Sequence, residues 1–465
     1  MEKVGVLLIS YGSRASAIAD ALTRSNNYEV EIYDADKQRN PFILERSRDY
    51  TLGIDGDGIV EFAKKHQGDI DFGIVGPEGP IIGGIRDRVE DETGIPVICP
   101  LKRYAIEGSK VEQRLLMQKC CPEANPRFEV FDPANDGGAE EVKGKLWDCL
   151  DEYDNRVAVK PDMPATGKGV GVWGDHFNDR EEVFDHFLSI YKHGKVIVEE
   201  KIEGEEFSLQ FFSDGRHLVA TPAVRDYKRA FDGDMGPNTG GMGSYKDSGN
   251  TLPFMDKNDW DVGLRIGERI FEELKDGEDN PGLRGIPLYM AYTCSKDGVK
   301  AFEINSRPGD PEIMNLLPLV KGDFVDHCFQ MIEGRLTNME FEPLASVVTY
   351  AVPLTYGGFR HKYSGDARVD LAPAYELVDK YDGSLRVYPG SMERRDDGKT
   401  YALGSRAVGC VGIAEDIEDA RRISLEGIKA LDGPLWNRWD IASKAHIGRS
   451  IGNVKRLRSQ IRYAE

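Results

Sequence analysis

The sequence has no cysteine pattern that would bind a metal or staple a small fold. Its seven cysteines are scattered and odd in number, and they form neither a C-x-x-C pair nor a cluster with histidine. Free thiols suit a reducing compartment, where they pack as small apolar side chains. The pattern disfavours a disulfide framework and a zinc site, and we expect a cytoplasmic protein.

The sequence also lacks an excess of basic residues and any long apolar run. Its 60 Lys and Arg residues are outnumbered by 80 Asp and Glu residues, which gives a net charge of -20. That balance disfavours binding to nucleic acid or to an anionic membrane surface. No segment has the length and apolar character that a bilayer span needs, and no cationic leader precedes the first apolar run. We therefore expect small molecules as partners.

The length of 465 residues is too great for one ordinary core and predicts two to four domains. Strands at 4–10, 29–33 and 70–75 alternate with helical patterns that reach residue 22 and span 59–66. This alternation predicts a parallel sheet covered by helices on both faces. Ligands of such sheets bind at the carboxyl ends of the strands, which directs attention to residues 12–14 and 76–84.

The first of these loops could bind an anion at a helix amino terminus, with Arg14 adding a bidentate contact. A tight turn that merely needs small residues is an equal alternative. The loop lacks the G-x-G-x-x-G fingerprint, so nothing in it supports a second alternative, a nicotinamide-dependent oxidoreductase.

The most unusual stretch is residues 225–243, with the sequence RDYKRAFDGDMGPNTGGMG. Five glycines and a proline exclude a core helix or a central strand, so we predict a functional loop. Glycine lets backbone N–H groups approach a ligand closely, and Lys228 and Arg229 add positive charge. The stretch is interpreted as a loop that holds an anion, with a flexible surface loop as the alternative.

Two further segments carry charges suited to a nucleotide. A strand at 156–160 ends in Lys160, and a flap at 161–169 containing Gly167-Lys168-Gly169 precedes a strand at 170–173. The flap lacks the Walker A pattern and its helix, so an ordinary turn is the alternative. Carboxylates at 199–206 follow another strand; they indicate either a solvated sheet edge or groups that accept from ribose hydroxyls.

A strand at 299–305 places Glu303 and Asn305 on one face, because residues two apart on a strand point the same way. A carboxylate and an amide oxygen are hard ligands suited to a Mg²⁺ ion that substrate phosphates also hold. Arg307 follows on that face if the strand continues.

These pieces together resemble the ATP-grasp carboxylate–amine ligases and, among them, the glycinamide ribonucleotide synthetases (phosphoribosylamine–glycine ligases). The resemblance covers nearly the whole chain, and Gly-Pro-Asn-Thr-Gly-Gly-Met-Gly at 236–243 is its most specific motif. It implies an α/β and α+β multidomain fold. The expected parts are a Rossmann-like domain at 1–105, an ATP-grasp domain at 106–338 with its smaller lobe at about 125–200, and a small strand-rich α+β domain at 339–465.

The resemblance also implies roles for individual residues. The implied ATP contacts are Lys110, Lys160, Gly167, Lys168, Gly169, Glu199, Glu200 and Glu206. Glu303 and Asn305 would hold Mg²⁺ or Mn²⁺, and Lys228, Asp234 and Arg307 would surround glycine and its acyl phosphate. The implied substrate-binding residues are Gly12, Ser13, Arg14, Pro77, Glu78, Asp226, Pro237, Asn238, Thr239, Gly240, Gly241, Gly309, Asp310, Pro311, Glu312 and Arg406.

The reaction implied by the resemblance starts with attack of the glycine carboxylate on the γ-phosphate of ATP. The amine of phosphoribosylamine then displaces phosphate from the acyl phosphate to form the amide, while a closed flap excludes water. This step belongs to purine synthesis. The protein is expected to act as a monomer or a weak dimer.

Three departures from the family pattern keep alternatives open. Ala15 and Ser16 replace a glutamate and a histidine near the expected ribose phosphate site, Tyr227 replaces a histidine, and Pro308 replaces a phenylalanine. One alternative is a ligase of the same fold with a different amine acceptor. Another is an ATP-binding protein that has lost catalysis.

The last third of the sequence alternates short strands and helices. Strands are predicted at 346–352, 385–388 and 406–413, and a helix at 417–431. The basic segment 455–462 is typical of an exposed helix face.

Overall fold

The amino-terminal part of the chain is a five-stranded parallel sheet with helices on both faces. The computed structural model describes residues 1–163, 169–275 and 277–459. The strands are β1 Glu2–Ile9, β2 Tyr28–Asp36, β3 Ser47–Leu52, β4 Phe72–Val75 and β5 Val97–Ile98, and the helices are α1 Gly12–Thr23, α2 Pro41–Leu44, α3 Gly56–Lys65, α4 Glu78–Gly83 and α5 Ile85–Thr93. The sheet order β3-β2-β1-β4-β5 confirms the predicted parallel sheet.

Strand β1 shows why this sheet is covered on both sides. Val6 and Leu8 belong to one buried cluster that includes Ile18 of α1. Leu7 and Ile9 point the other way, into a second cluster with Ile59 of α3. Because β2 and β4 flank β1 on opposite sides, the loops after β1 and β4 meet at the carboxyl edge of the sheet, where such folds bind ligands.

A four-stranded antiparallel sheet follows, in the order β6-β9-β7-β8. Its strands are β6 Phe128–Phe131, β7 Val157–Pro161, β8 Gly171–Val172 and β9 Val196–Glu200, with helices α6 Lys110–Cys120, α7 Ala139–Glu152 and α8 Arg180–Tyr191. Apolar side chains of α7 and α8, among them Leu146 and Phe187, pack on one face of the sheet against Val198. This small lobe corresponds to the sheet predicted around the flap.

The central part contains a second antiparallel sheet and a short ribbon. Its elements are β10 Gly204–Ser213, β11 Leu218–Ala220, β12 Arg225–Asp226, β13 Arg229–Phe231, β14 Met235–Asn238, β15 Gly243–Lys246, α9 Lys257–Leu274, β16 Gly285–Ser295, β17 Gly298–Asn305, α10 Ile313–Leu316 and α11 Phe324–Ile332. The sheet order is β11-β10-β16-β17, and β13 pairs with β14 as a separate two-stranded ribbon. The first antiparallel sheet and this one are the two lobes between which the predicted ATP site lies.

The carboxyl-terminal part completes a six-stranded sheet. Its elements are β18 Ala345–Pro353, α12 Ala372–Lys380, β19 Leu385–Pro389, β20 Met392–Arg394, β21 Thr400–Ala402, β22 Val408–Ala414, α13 Ile417–Ala430, β23 Leu435–Trp436 and α14 Lys444–Ser459. The order β12-β15-β18-β22-β19, with β23 on β18, brings two strands of the central part into this sheet. The domain boundaries inferred from the sequence stay a prediction.

Three details differ from the predictions. Residues 225–243 are not an irregular loop, because β13 and β14 form a hairpin whose flanking strands β12 and β15 join the carboxyl-terminal sheet. Strand β17 ends at Asn305 and does not continue to Arg307. In the predicted exposed face at 455–462, Lys455 and Arg456 are exposed, but Leu457 is buried and Arg458 pairs with Asp259; residues 460–462 lie outside the described residues. None of the helices in the described ranges is long and apolar enough to cross a membrane.

Candidate active site

The glycine-rich hairpin owes its shape to backbone conformations that few residues adopt. Gly233 and Asp234 form its tip with φ angles of 75° and 59°, and Asp is one of the few non-glycine residues that tolerate this region. At the open end of the hairpin, Thr239 donates both its N–H and its hydroxyl to the Lys228 carbonyl, at 2.7 and 2.9 Å. These bonds hold the turn at 239–241 beside Lys228.

Gly241 has no room for a side chain. Its φ is 107°, and a Cβ built there would lie 2.6 Å from the Asp226 Oδ1 atom and 2.8 Å from the Pro311 Cδ atom. Asp226 is a carboxylate whose pKa burial raises well above its ordinary value, with Glu312 adding repulsion. The predicted substrate residues Asp226, Gly241 and Pro311 are therefore brought together.

Lys228 and Glu206, two predicted site residues from different motifs, form an ion pair. The Lys228 Nζ atom lies 2.9 Å from a Glu206 carboxylate oxygen. Burial alone would lower the pKa of Lys228, but Glu206, Asp226 and Glu303 raise it above its ordinary value. Lys228 is thus a permanent cation at neutral pH, suited to an anionic substrate group and unsuited to acting as a base.

Glu199 lies at the centre of a buried charge cluster in the small lobe. Its two carboxylate oxygens accept from Lys160 Nζ at 2.6 Å and from Arg114 Nε at 2.7 Å. Burial would raise the pKa of Glu199, but Arg114 and Lys160 lower it to about 2. The carboxylate holds Lys160 in place, and the predicted direct contact of Glu199 with ATP stays a prediction.

The neighbouring Glu200 faces a different partner. Its carboxylate accepts from the Arg127 side chain at 2.8 Å and from the Arg127 N–H at 3.0 Å. Gly169 is the last residue of the predicted flap and has a φ of 88°. The predicted ATP contacts Gly167 and Lys168 lie outside the described residues.

Glu303 and Asn305 occupy one face of β17, while Ile304 between them is buried in the core. The Glu303 carboxylate is close enough to Lys110 to raise its pKa, although burial and Lys160 leave the Lys110 pKa below its ordinary value. In the described residues, no group of three or more His, Cys, Asp or Glu forms a metal cluster. Two hard oxygen donors facing lysines fit a Mg²⁺ ion that phosphate oxygens also coordinate.

The loops of the parallel sheet reach the same region through an alternating row of charges. Arg14 of α1 lies 3.8 Å from Glu78 at the start of α4, and Glu78 lies 3.7 Å from Arg307. Arg307 in turn lies 3.5 Å from Glu107. Burial would raise the pKa of Glu78, but Arg14 and Arg307 lower it. Arg14 also donates to the Pro308 carbonyl at 2.7 Å, so the predicted residues of the two domains converge.

Hydrogen bonds connect other predicted substrate residues to one another and to the strands around them. Arg406 donates to the Asp310 carboxylate at 2.9 Å and to the Gly240 carbonyl at 2.5 Å. The Gly309 N–H donates to Gln210 at 2.9 Å, and Glu312 accepts from the Tyr289 hydroxyl at 2.6 Å. Arg406 therefore links the segment after β17 to the hairpin.

The remaining predicted residues are less directly placed. Gly12 and Ser13 open α1, and the Ser13 hydroxyl donates to the Tyr388 carbonyl at 3.1 Å. Pro77 precedes the first turn of α4. Pro237 and Asn238 lie on the exposed strand β14. For these residues a contact with substrate stays a prediction.

Asp234 is held by the carboxyl-terminal part of the chain. Its Oδ1 atom accepts from Arg438 at 3.0 Å, and its Oδ2 atom lies 2.6 Å from His446 Nε2. Burial would raise the pKa of Asp234, but His446 and Arg438 lower it. The predicted catalytic role of Asp234 stays a prediction, and the structure shows both of its oxygens engaged with protein groups.

The departures from the family motifs fall in buried positions. Ala15 and Ser16 are completely buried, and the Ser16 hydroxyl donates to the Pro389 carbonyl at 2.7 Å. Tyr227 is buried too, with its ring 4.7 Å from that of His446. These residues pack between distant parts of the chain, and Ala15 and Ser16 offer no surface to an amine substrate.

Sequence reasoning missed two residues of this site. Arg114 follows Lys110 by four residues, and that helical spacing is a signal that could have linked them on one face of α6. Glu107 lies beside the Arg307 guanidinium and accepts from the Ser306 N–H at 3.0 Å, and burial raises its pKa. Glu107 precedes the start of α6 at Lys110, so the helical spacing that links Arg114 to Lys110 does not apply to it.

Solved structures share this arrangement of sheets. The phosphoribosylamine–glycine ligase of Thermotoga maritima aligns with a TM-score of 0.73 at 24% identity, over 94% of this chain and all of that one. The biotin carboxylase domain of Hydrogenobacter thermophilus 2-oxoglutarate carboxylase, solved with MgADP and bicarbonate, aligns with a TM-score of 0.66 at 14% identity, over 97% of this chain and 93% of that one. These likenesses show the fold, and a family model for an ATP-grasp domain, which residues 134–313 match, defines the chain as an ATP-grasp enzyme.

Sequence comparisons narrow this class. Residues 4–107 match the family model "Phosphoribosylglycinamide synthetase, N domain", and residues 134–313 match "Phosphoribosylglycinamide synthetase, ATP-grasp (A) domain". The phosphoribosylamine–glycine ligase of Methanocella arvoryzae is 37% identical over 97% of this chain and 99% of its own length. That of Pyrococcus abyssi is 36% identical over 97% and 98%. The chain belongs to the phosphoribosylamine–glycine ligase family.

Proposed function

We propose that this chain joins glycine to 5-phosphoribosylamine at the expense of ATP, which forms glycinamide ribonucleotide, ADP and phosphate in purine biosynthesis. The observation that carries the proposal is that Glu303 lies close enough to Lys110 and Lys228 to raise the pKa of each, although these three residues come from separate segments of the chain. A metal ligand, phosphate-binding cations and the substrate hairpin thus share one site.

The ATP side of the reaction needs charge neutralisation more than covalent help. Lys110 and Lys160 supply positive charge, and Lys160, which directly precedes the flap in sequence, is held by Glu199. Glu303 and Asn305 would hold Mg²⁺, which would neutralise charge on phosphate oxygens. ATP and Mg²⁺ are therefore the substrate and the cofactor of the proposed reaction.

The glycine side uses Lys228 and Arg307, whose positive charges attract the carboxylate that becomes the acyl phosphate. Burial would lower the pKa of Arg307, but Glu107 and Glu78 raise it, so it stays charged throughout the reaction. The turn at 239–241 is held beside Lys228 by the two hydrogen bonds from Thr239. Arg14 and Arg406 are proposed to bind the ribose phosphate of the amine.

The test is a turnover assay with ATP, Mg²⁺, glycine and freshly generated phosphoribosylamine. ADP should be released only when glycine and the amine are both present, and Glu303→Gln should lower this rate by about a hundredfold or more because a metal ligand is lost. Glu272→Gln, an exposed residue of α9 that pairs with Lys275, is the matched control and should keep the wild-type rate. ADP release that ignores the amine would overturn the proposal.

Two finer points belong to the same proposal. We place the protein in the cytoplasm because all seven of its cysteines are free thiols and six of them are buried. We also propose a monomer or a weak dimer, which light scattering across a range of concentrations would test.

A further inference from the structure

The substrate hairpin is poorly supported by its own strands. All four residues of β14 are exposed, and within the described residues β14 pairs only with the three-residue strand β13. A two-stranded ribbon of this length is marginally stable in water. Lys228 and the turn at 239–241 therefore need support from elsewhere in the chain.

That support comes from residues 436–453, which we name the carboxyl-terminal clasp. At the hairpin tip, the Gly233 N–H donates to the Asp440 carboxylate at 2.8 Å, and the Trp439 N–H donates to the Asp232 carboxylate at 2.9 Å. The hairpin tip and the clasp thus each supply a carboxylate that accepts a backbone N–H of the other. The tip is joined to the clasp by bonds in both directions.

Arg438 fixes the two hairpin strands to the clasp from the inside. Its side chain is fully buried, and it donates to the Arg229 carbonyl at 2.8 Å, to Asp234 at 3.0 Å and to Asp440 at 2.7 Å. Arg229 belongs to β13, and Asp234 directly precedes β14. A buried guanidinium with this set of partners permits little displacement of the hairpin.

His446 joins this cluster to the segment that carries Lys228. Its Nε2 atom lies 2.6 Å from Asp234, and its ring packs edge-on against Tyr227 at 4.7 Å between centroids. The Tyr227 hydroxyl accepts from the Ala442 N–H at 3.0 Å, so the clasp also holds the residue between Asp226 and Lys228. His446 is 3% exposed and contacts both the tip and the base of the hairpin.

We propose that His446 is a positioning residue, which acts through Asp234 and Tyr227 to hold the substrate hairpin in place for glycine. Asp234 then serves the hairpin and not the substrate, because Arg438 and His446 occupy its two oxygens. The expected effect of His446 on glycine binding rests on the proposed function. Its effect on the position of the hairpin does not depend on that function.

The experiment compares His446→Ala, His446→Gln and the control Lys444→Ala by hydrogen exchange and by steady-state kinetics. Lys444 starts the same helix, but its ion pair with Glu418 is exposed. In His446→Ala, exchange in peptides covering 229–240 should accelerate about tenfold or more because a charge-assisted bond is lost. The KM for glycine should rise by a similar factor, while the KM for ATP changes less than about twofold. Glutamine can donate from a similar position and should restore both values.

Unchanged exchange at 229–240 in His446→Ala would overturn the proposal, whatever the activity. The proposal would also be overturned if the KM values for glycine and ATP changed equally, or if His446→Gln restored neither the exchange rate nor the KM for glycine. If His446→Ala does not fold, Asp234→Asn tests the contact from the hairpin side, since Asn tolerates the backbone conformation of this position. Wild-type protein without glycine-dependent turnover would reject the proposed function, and hydrogen exchange would still decide the role of the clasp.

Discussion

Gly241 is the residue whose substitution should disturb the hairpin turn most directly. A β-carbon would collide with Asp226 and Pro311, and the φ of 107° disfavours any side chain. We predict that Gly241→Ala lowers kcat/KM by about tenfold or more, since a strained backbone position costs on the order of 1–3 kcal/mol. The assay is the turnover measurement with saturating ATP.

A matched control for this substitution is Gly448→Ala in α14, where a Cβ meets nothing within 4 Å. Alanine in a helix is favoured over glycine by about 1 kcal/mol, so this variant should be as active as wild type and equally or more stable. If Gly241→Ala matched Gly448→Ala in activity, the close packing of the turn would have no catalytic role.

Glu199 makes a pH-dependent contribution to stability. Its pKa falls from 4.5 to about 2 on folding, which corresponds to about 3 kcal/mol at about 1.4 kcal/mol per pKa unit. Because the folded-state pKa is the lower one, this stabilisation is present above pH 4.5 and is lost as the pH falls towards 2. We predict that Glu199→Gln lowers the free energy of unfolding at pH 7 by about 3 kcal/mol, and that its difference from wild type shrinks below pH 4.5.

Urea unfolding at several pH values measures this difference. Glu200→Gln is the neighbouring control, since its half-exposed pair with Arg127 should contribute less than about 1 kcal/mol. A Glu199→Gln difference that stayed constant down to pH 2 would contradict the assignment of the stabilisation to the ion pairs.

Among the elements, α14 is the one whose support of the central sheet was unexpected. Arg458 near its end pairs with the buried Asp259 carboxylate of α9 at 2.5 Å. We predict that Arg458→Ala lowers stability by about 1–3 kcal/mol, because a buried carboxylate loses a charged partner. Thermal unfolding with Lys444→Ala as the exposed ion-pair control measures the effect. Equal midpoints for the two variants would show that this end of the helix is not an anchor.

The elements differ in how far the sequence predicts them. Residues 4–9 form a continuous apolar run and 59–66 has helical periodicity, so β1 and α3 are predictable from local pattern. The ribbon β13–β14 is not, because its exposed strand MGPN has no apolar alternation and takes its place through contacts with residues 438–446, more than 200 positions away. The ion pair between Glu199 and Arg114 could not be predicted from local pattern either, because the two residues are 85 positions apart in the sequence.

The site residues show the same limit. The family motifs assigned Lys228, Glu206, Glu303 and Arg406 to the active site, because a motif identifies residues by their chemical role as well as by their spacing. They could not show that the departures at Ala15 and Ser16 are buried, since burial depends on contacts with the distant segment at 389. Nor could they separate a carboxylate that touches substrate from one, such as Asp234, that holds its neighbours.

At the scale of the whole molecule, the site exists only where three parts of the chain meet. The parallel-sheet part supplies Arg14 and Glu78, and the two central lobes supply the lysines and Glu303. The carboxyl-terminal part supplies Arg406, and its sheet takes in β12 and β15, the two strands that flank the hairpin. This division suits a reaction with three substrates, because the central part can bind ATP and glycine while the two outer parts share the ribose phosphate of the amine. It also explains why the domains are joined by buried charges and not by apolar contacts alone.

The central claim is that the glycine carboxylate is phosphorylated and then captured by the amine. Glycine labelled with ¹⁸O in both carboxylate oxygens tests it directly, because attack on the γ-phosphate transfers one labelled oxygen to the phosphate that is later released. With ATP, Mg²⁺ and phosphoribosylamine present, mass spectrometry should find one ¹⁸O atom in each phosphate formed and one in the amide product. Released phosphate without the label would contradict the account.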